Sequence, residues 1–145
     1  MATTDLTGDT SSAVPFQGNK FFTIKNRITI PVTGLTAGDI FEALRIKAGW
    51  LIQGITWSPV TAVTDCTTMT ILVGITGGTV NGFDADIDGK VTTFAKSALA
   101  DTYTAAGGFY ATANDTIDVE VHAYTANGTA ISGVYDITAY GIDLN

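Results

Sequence analysis

The residues best suited to chemistry in this chain are carboxylates, and their densest group is Asp84-Ala-Asp86-Ile-Asp88-Gly89. Carboxylates at alternate positions before a glycine turn match the start of a Ca²⁺-binding loop, whose oxygen ligands wrap a hard cation. An EF-hand would put a bidentate Glu at the twelfth position of that loop. Ala95 stands there instead, and no helical pattern flanks the segment. The favoured reading is an acidic surface turn anchored by Phe83 and Ile87, with Asp84, Asp86 and Asp88 kept as the candidate metal ligands. His122, the single histidine, follows Glu120 by two residues, so the two side chains share one face of a strand. One histidine with carboxylates makes a poor zinc site. No Ser or Cys is assigned to it as a nucleophile by spacing, and G-x-S-x-G is absent. A solvated or interface histidine is the better reading.

Asp118 and Glu120 also alternate on one face, as a glycosidase pair could, although outer-face charges have the same spacing. The glycines around 74–78 and at Gly107-Gly108 lack the Lys-Ser/Thr of a phosphate loop and read as turns. Cys66 is the only cysteine, so it has no partner for an internal disulfide and no second thiol for a metal. No catalytic residue and no cofactor site emerges, and the expectation is a protein that is not an enzyme.

These groups must be carried on strands. Phe22, Ile24, Ile28, Ile30 and Val32 occupy every second position with one gap, while Thr23, Lys25, Arg27 and Thr29 fall between them. The rhythm returns in Met69, Ile71, Val73 and Ile75, and again in Ile117, Val119, Val121 and Ala123. Successive strand side chains point to opposite faces, so each run has one wet and one dry side. Strands are expected over 20–32, 40–46, 50–57, 67–75, 117–124 and 131–142, with Pro59 closing the third. In that third strand Trp50 and Ile52 fall on one side, and Leu51, Ile55 and Trp57 on the other. Asn127-Gly128 signals a hairpin between the last two strands. Residues 80–106 read as a long connection with short strand pieces near 91–94 and a helical turn or loop over 97–104.

Size and composition set bounds. The chain has 145 residues, 46% hydrophobic and 14% charged, with mean hydropathy +0.28. That suits one packed domain and excludes disorder over most of its length. No run approaches the ~20 apolar residues of a spanning helix. A membrane barrel is a weaker reading, because the polar faces are mostly Thr rather than charged. Net charge is −7, divided between +1 over residues 1–47 and −8 over 48–145. A nucleic-acid binder needs clustered Lys and Arg, so no nucleic-acid partner and no membrane partner is expected. Residues 1–19 show no basic-then-apolar leader, and a lone cysteine fits synthesis in a reducing cytoplasm.

The organisation expected is an all-β chain, a single β-sandwich or jelly-roll-like domain over 20–145, preceded by an extended N-terminal arm over 1–19. The arm is Thr, Ser, Gly and Asp with little to bury beyond Val14 and Phe16. Trp50, Trp57, Tyr103, Phe109, Tyr110, Tyr124, Tyr135 and Tyr140 are many aromatics for this size. Most should fill the core, and an exposed row of them could bind sugar or a protein neighbour.

Ala37-Gly38-Asp39-Ile40-Phe41-Glu42, and then Leu44 through Ala48-Gly49 to Trp50, resemble an opening found in small structural proteins of tailed-bacteriophage virions. Gly82-Phe83-Asp84, Tyr103-Thr104-Ala105-Ala106-Gly107-Gly108 and Tyr110-Ala111-Thr112-Ala113-Asn114-Asp115-Thr116-Ile117 continue it. The likeness covers about residues 35–144 and is greatest to head decoration (cement) proteins. It implies a β-sandwich or jelly roll that docks on the assembled head surface, with the major capsid protein as partner. It also implies a homo-oligomer and no catalytic residues. A clamp of that kind gains from many symmetric copies, and an arm can add a strand to a neighbour's open edge. The alternative is a receptor- or carbohydrate-binding module of a tail or fibre, using exposed aromatics and the 84–88 loop.

Overall fold

A computed structural model describes residues 3–5, 20–92, 94–96 and 101–145. Ten strands and one helical turn are formed there: β1 Thr3–Asp5, β2 Phe21–Ile30, β3 Ile40–Ile46, β4 Trp50–Thr61, β5 Thr64–Gly74, β6 Asp84–Asp88, β7 Ala95–Lys96, α1 Thr102–Ala105, β8 Phe109–Tyr110, β9 Asp115–Ile131 and β10 Gly133–Asp143. They make two sheets, one in the order β1-β3-β9-β5-β6 and the other β2-β10-β4-β7, with β8 also on β4. Every pairing is antiparallel except β1 on β3, which is parallel. The chain is an all-β sandwich, as its alternation requires. Of the expected arm over 1–19, only Thr3–Asp5 lies within the described residues.

The dry sides of the alternating runs meet between the sheets. Ile24, Ile28 and Ile30 of β2, Ile137 and Ala139 of β10 and Trp57 of β4 face Phe41 and Leu44 of β3, Ile71 and Val73 of β5, and Ile117, Val119 and Val121 of β9. All are nearly or wholly buried. Each Ile or Val so buried contributes roughly 1.5–3 kcal/mol. Trp57 and Tyr135 pack with ring centroids 4.5 Å apart at the centre, and Phe22 stacks on Trp50 at 4.0 Å toward one end.

Asn26 fills the one gap in the apolar rhythm of β2. The β3–β9 register slips between Glu42 and Leu44, which drops Ala43 out of the ladder. Asn26 Nδ2 donates to the Ala43 carbonyl at 2.9 Å, so a side chain supplies a hydrogen bond that no β9 residue is positioned to make. This contact ties β2, an edge strand of one sheet, to β3 of the other, which lies next to the short outer strand β1.

Extra residues in strands change three sequence-based expectations. In β4, Gln53 is unmatched between Ile52 and Gly54, so Ile52, Ile55, Trp50 and Trp57 are all buried and Leu51 turns outward. Strand β4 also runs past Pro59, which sits beside a second slip at Val60 where the ladder is already irregular. The Asn127-Gly128 hairpin does not form. Gly128 has φ +87, but β9 continues to Ile131 alongside β5, and the chain passes to the other sheet at residue 132. Strands β9 and β10 therefore belong to opposite layers.

The outermost strands are short or charged, which discourages uncontrolled edge pairing. Strand β6 carries three Asp, β2 carries Lys25 and Arg27 with Pro31 just beyond, and β1 and β7 have three and two residues. Replacing Asn26 with Ala should cost about 1–2 kcal/mol, because the Ala43 carbonyl loses its donor at a partly buried site. The midpoint of urea unfolding, at unchanged slope, is the measurement that checks this.

Candidate functional site

The carboxylate motif that suggested a metal lies on strand β6 rather than in a loop. Ile87 points to the core opposite Ile71, so Asp88 and Asp86 face outward. The ladder slips between Ile71 and Val73, and Asp84 lies beyond it, half-buried, where burial pushes its carboxyl above the ordinary range. The glycine of the motif has a packing role. A Cβ on Gly89 would fall 2.5 Å from Met69 Cγ and 3.2 Å from the Tyr135 hydroxyl. That hydroxyl donates to the Gly89 carbonyl at 2.7 Å, and its burial drives its pKa up to about 12. Among the described residues no group of three His, Cys, Asp or Glu is arranged to hold a metal ion.

Beside this strand lies a groove of about 180 Å³, with Thr68, Thr70, Asp86, Asp88 and Lys90 in its lining. Lys90 Nζ already donates to the Thr67 carbonyl there at 3.0 Å. Small-molecule sites are usually apolar clefts of ~300–1,000 Å³, so this polar notch is a poor match to one.

The carboxylates of β9 also have structural employment. Asp118 stands opposite Glu42 of β3, on the outward side, and is only 5% exposed. Its Oδ2 accepts from the Thr76 backbone N–H at 2.9 Å, which tethers the turn after β5, while Oδ1 is buried without a partner. Glu120 follows on the same face. His122 is exposed at a bulge, since Thr70 pairs with Ala123 and Ile71 with Val121, leaving it unmatched. Cys66 lies on β5 opposite Ala126, and burial raises its thiol pKa. These residues do not converge on one cleft.

The turn over Ile75–Phe83 is held from above by Tyr103 of α1. Its hydroxyl accepts from Thr79 N–H at 2.8 Å, its own N–H donates to the Gly82 carbonyl at 2.8 Å, and its ring packs on Phe83 and Phe109. At the opening of β3, Gly38 adopts φ +92, and Asp39 Oδ2 accepts from Thr36 N–H at 2.8 Å. That positive φ is easily reached by glycine alone. The motifs that carry the resemblance are thus turn-forming and packing residues.

The outward side of the other sheet differs in chemistry. Asp136 of β10, 8% exposed, receives two hydrogen bonds from Arg27, Nε to Oδ1 at 2.7 Å and Nη2 to Oδ2 at 2.9 Å, and Lys25 Nζ approaches Oδ2 at 2.9 Å. The Arg27 guanidinium, seconded by Lys25 against the opposing effect of burial, holds the carboxyl down at about 2. Toward one end of this sheet the charge gives way to apolar side chains. Phe21 pairs with Ile142, Ile142 with Leu51, and Leu51 with Tyr110, so one outward row crosses β2, β10, β4 and β8. Phe21 and Tyr110 are 49% and 50% exposed, and Tyr140 beside them 40%. The sequence marked Tyr110 and Tyr140 among its aromatics but missed Phe21, Leu51 and Ile142. The adjacent pair Phe21-Phe22 was the available signal, because alternation must send one of the two rings outward.

No protein-family model matches the sequence, and no curated protein matches it. Solved structures do. The chain is similar in fold to a chain of the cyanophage Pam1 capsid asymmetric unit, with 17% identity over 92% of this chain and 94% of that one, TM-score 0.64. It is similar to a chain of the capsid of Ralstonia phage GP4, with 19% identity over 97% of each chain, TM-score 0.65. A third is from the acidic stable capsid of Helicobacter pylori bacteriophage KHP30, with 16% identity, 83% and 86% covered, TM-score 0.53. At these identities the likeness is one of fold, and it runs over 83–97% of this chain.

Two outcomes follow from the charged groups. Asp136 has a folded pKa below its ordinary 3.8, so its stabilising effect is full above that value and is lost as pH falls through about 2. Asp136→Asn should lower the thermal midpoint at pH 6, and the difference should shrink below pH 4 and vanish only below about pH 2. At Asp118, Asn keeps an acceptor for Thr76 and relieves the charge opposite Glu42. Asp118→Asn should therefore equal or exceed the parent in stability at pH 7, whereas Asp118→Ala should lose about 1–2 kcal/mol, read by chemical denaturation.

Proposed function

We propose that this protein is a non-enzymatic structural component of a phage virion, a decoration protein that docks on the outer surface of the assembled head and clamps neighbouring copies of the major capsid protein. The observation that carries the reading is the fold likeness to capsid chains: chains of three solved capsids match this one over 83–97% of its length. The surfaces support it. Among the described residues the carboxylates and the histidine serve turns, ladders and solvent, while an apolar row lies open on the outward face of a sheet. Exposed apolar rows with polar surroundings suit protein contacts better than substrate capture. On this reading the protein is made in the host cytoplasm and acts as a homo-oligomer, so that several small interfaces engage one symmetric shell.

Shells assembled from the major capsid protein of the encoding phage, without this chain, provide the test. Added protein should co-sediment with them, saturate at a fixed ratio to shell subunits, and appear by electron microscopy as density on the outer head. Density confined to the neck, tail or fibre, or binding to glycans in place of shells, would replace the head-surface role.

A further inference from the structure

We infer that the outward end of the β2-β10-β4-β8 sheet, centred on Phe21, Leu51, Tyr110, Tyr140 and Ile142, is the docking face. Its partner is a shell surface that is apolar at its centre and carries carboxylates at its rim. The inference rests on the decoration reading and adds which side of the sandwich binds and to what chemistry.

Four ladder-paired residues place this row on one face without interruption, and Leu144, 58% exposed, follows Ile142 two positions later. Its backbone N–H donates to the Gly49 carbonyl at 3.0 Å, continuing the sheet beyond β10. Among the described residues the other exposed large apolar side chains, Val60, Val91, Phe94 and Ile131, lie at turns, bulges and strand ends outside this row. Interface cores are poor in charge and rich in Tyr and Phe, which this row matches and the opposite layer does not. Outward from that layer stand Glu42, Asp118, Glu120, Asp86 and Asp88, against Arg45 and Lys90.

Area and charge select the occupant. An aromatic side chain half-exposed offers roughly 100 Å², so the row presents on the order of 400–500 Å² of apolar surface. A stable pair of proteins buries about 800 Å² from each partner, a little over half of it apolar, so the row is large enough to centre one interface. Two copies joined through this face would bring their own Lys20, Lys25 and Arg27 margins together, which disfavours a second copy and favours a shell surface with carboxylates around an apolar centre. The rim carries more cations than carboxylates, with the partly buried Asp143 between Ile142 and Leu144 as the nearest anion. Lys20 is exposed at the end of the row, and on the same strand face Lys25 and Arg27 share a single carboxylate, Asp136. This positive margin, on a chain of net charge −7, fits an acidic surround.

The experiment compares three proteins on the same shells: the parent chain, Phe21→Ser with Tyr110→Ser, and Glu120→Gln with Asp86→Asn on the opposite face. Circular dichroism and thermal midpoint establish folding, and light scattering gives oligomeric state. Binding should fall at least tenfold for the first variant and stay within twofold of the parent for the second. Should the double variant fail to fold, Tyr140→Lys alone takes its place, with the same expected direction. Full binding by a folded row variant, or loss confined to the opposite-face variant, overturns the assignment while the decoration reading stands. A row variant that dissolves a stable parent oligomer assigns the face to a second copy and overturns the shell as occupant. Failure of the parent chain to bind any shell removes the decoration reading itself, and the inference with it.

Discussion

Tyr135 is the residue on which both layers of the sandwich converge. It is fully buried, its ring lies against Trp57, and its hydroxyl reaches the carbonyl of Gly89 at the end of β6 in the other sheet. The Val63 N–H, between β4 and β5, approaches the same oxygen at 3.4 Å and donates to the Gly89 carbonyl at 3.1 Å. A buried hydroxyl without partners would cost on the order of 1–3 kcal/mol. Satisfying it requires the 62–63 and 89–90 turns to close together, against the sheet that contributes the ring. The spacing of the layers, the path between β4 and β5, and the end of the acidic strand are thereby tied to one side chain.

Around that centre the two outward faces have diverged. One layer shows carboxylates, several of which hold turns or stand at a free edge. The other shows a charge-balanced patch around Asp136 and then an apolar end. The difference follows from strand order: the central strands β9 and β10 bring Asp118 and Glu120 to one exterior and Asp136, Tyr140 and Ile142 to the other. A sandwich stabilised by its interior leaves both exteriors available to contact neighbours, and here they offer different chemistry.

Much of this was legible from alternation. The apolar inward residues of β2 and β5, and those of β9 as far as Val121, were readable one by one, since a period of two leaves little ambiguity wherever a strand is regular; past the bulge at His122 it is Tyr124, not Ala123, that stands opposite the buried Met69. What escaped was set by bulges. Gln53 inverts the facing of Leu51 relative to Ile55, the slip at Ala43 gives Asn26 its partner, and the irregular pairing near Ala126 turns a hairpin signal into a strand excursion. A bulge depends on the register of two strands distant in sequence, so no local window contains it. The acidic motif had two readings for a related reason. Asp-x-Asp-x-Asp describes alternating outward positions on an edge strand as well as it describes ligands in a loop, and Gly89 serves a tyrosine from the opposite layer.

The strand order has a consequence for how the molecule is made. The middle of each sheet is supplied by residues 115–143, while the flanking strands β2, β3, β4 and β5 precede them by dozens of residues. During synthesis those early strands leave the ribosome without the partners they will flank. Neither layer can close until its late central member arrives and inserts. Contacts of such wide separation slow folding and leave sticky intermediates exposed. The charged and shortened outer strands thus also guard the nascent chain, at the stage when it has most to lose from meeting another copy of itself.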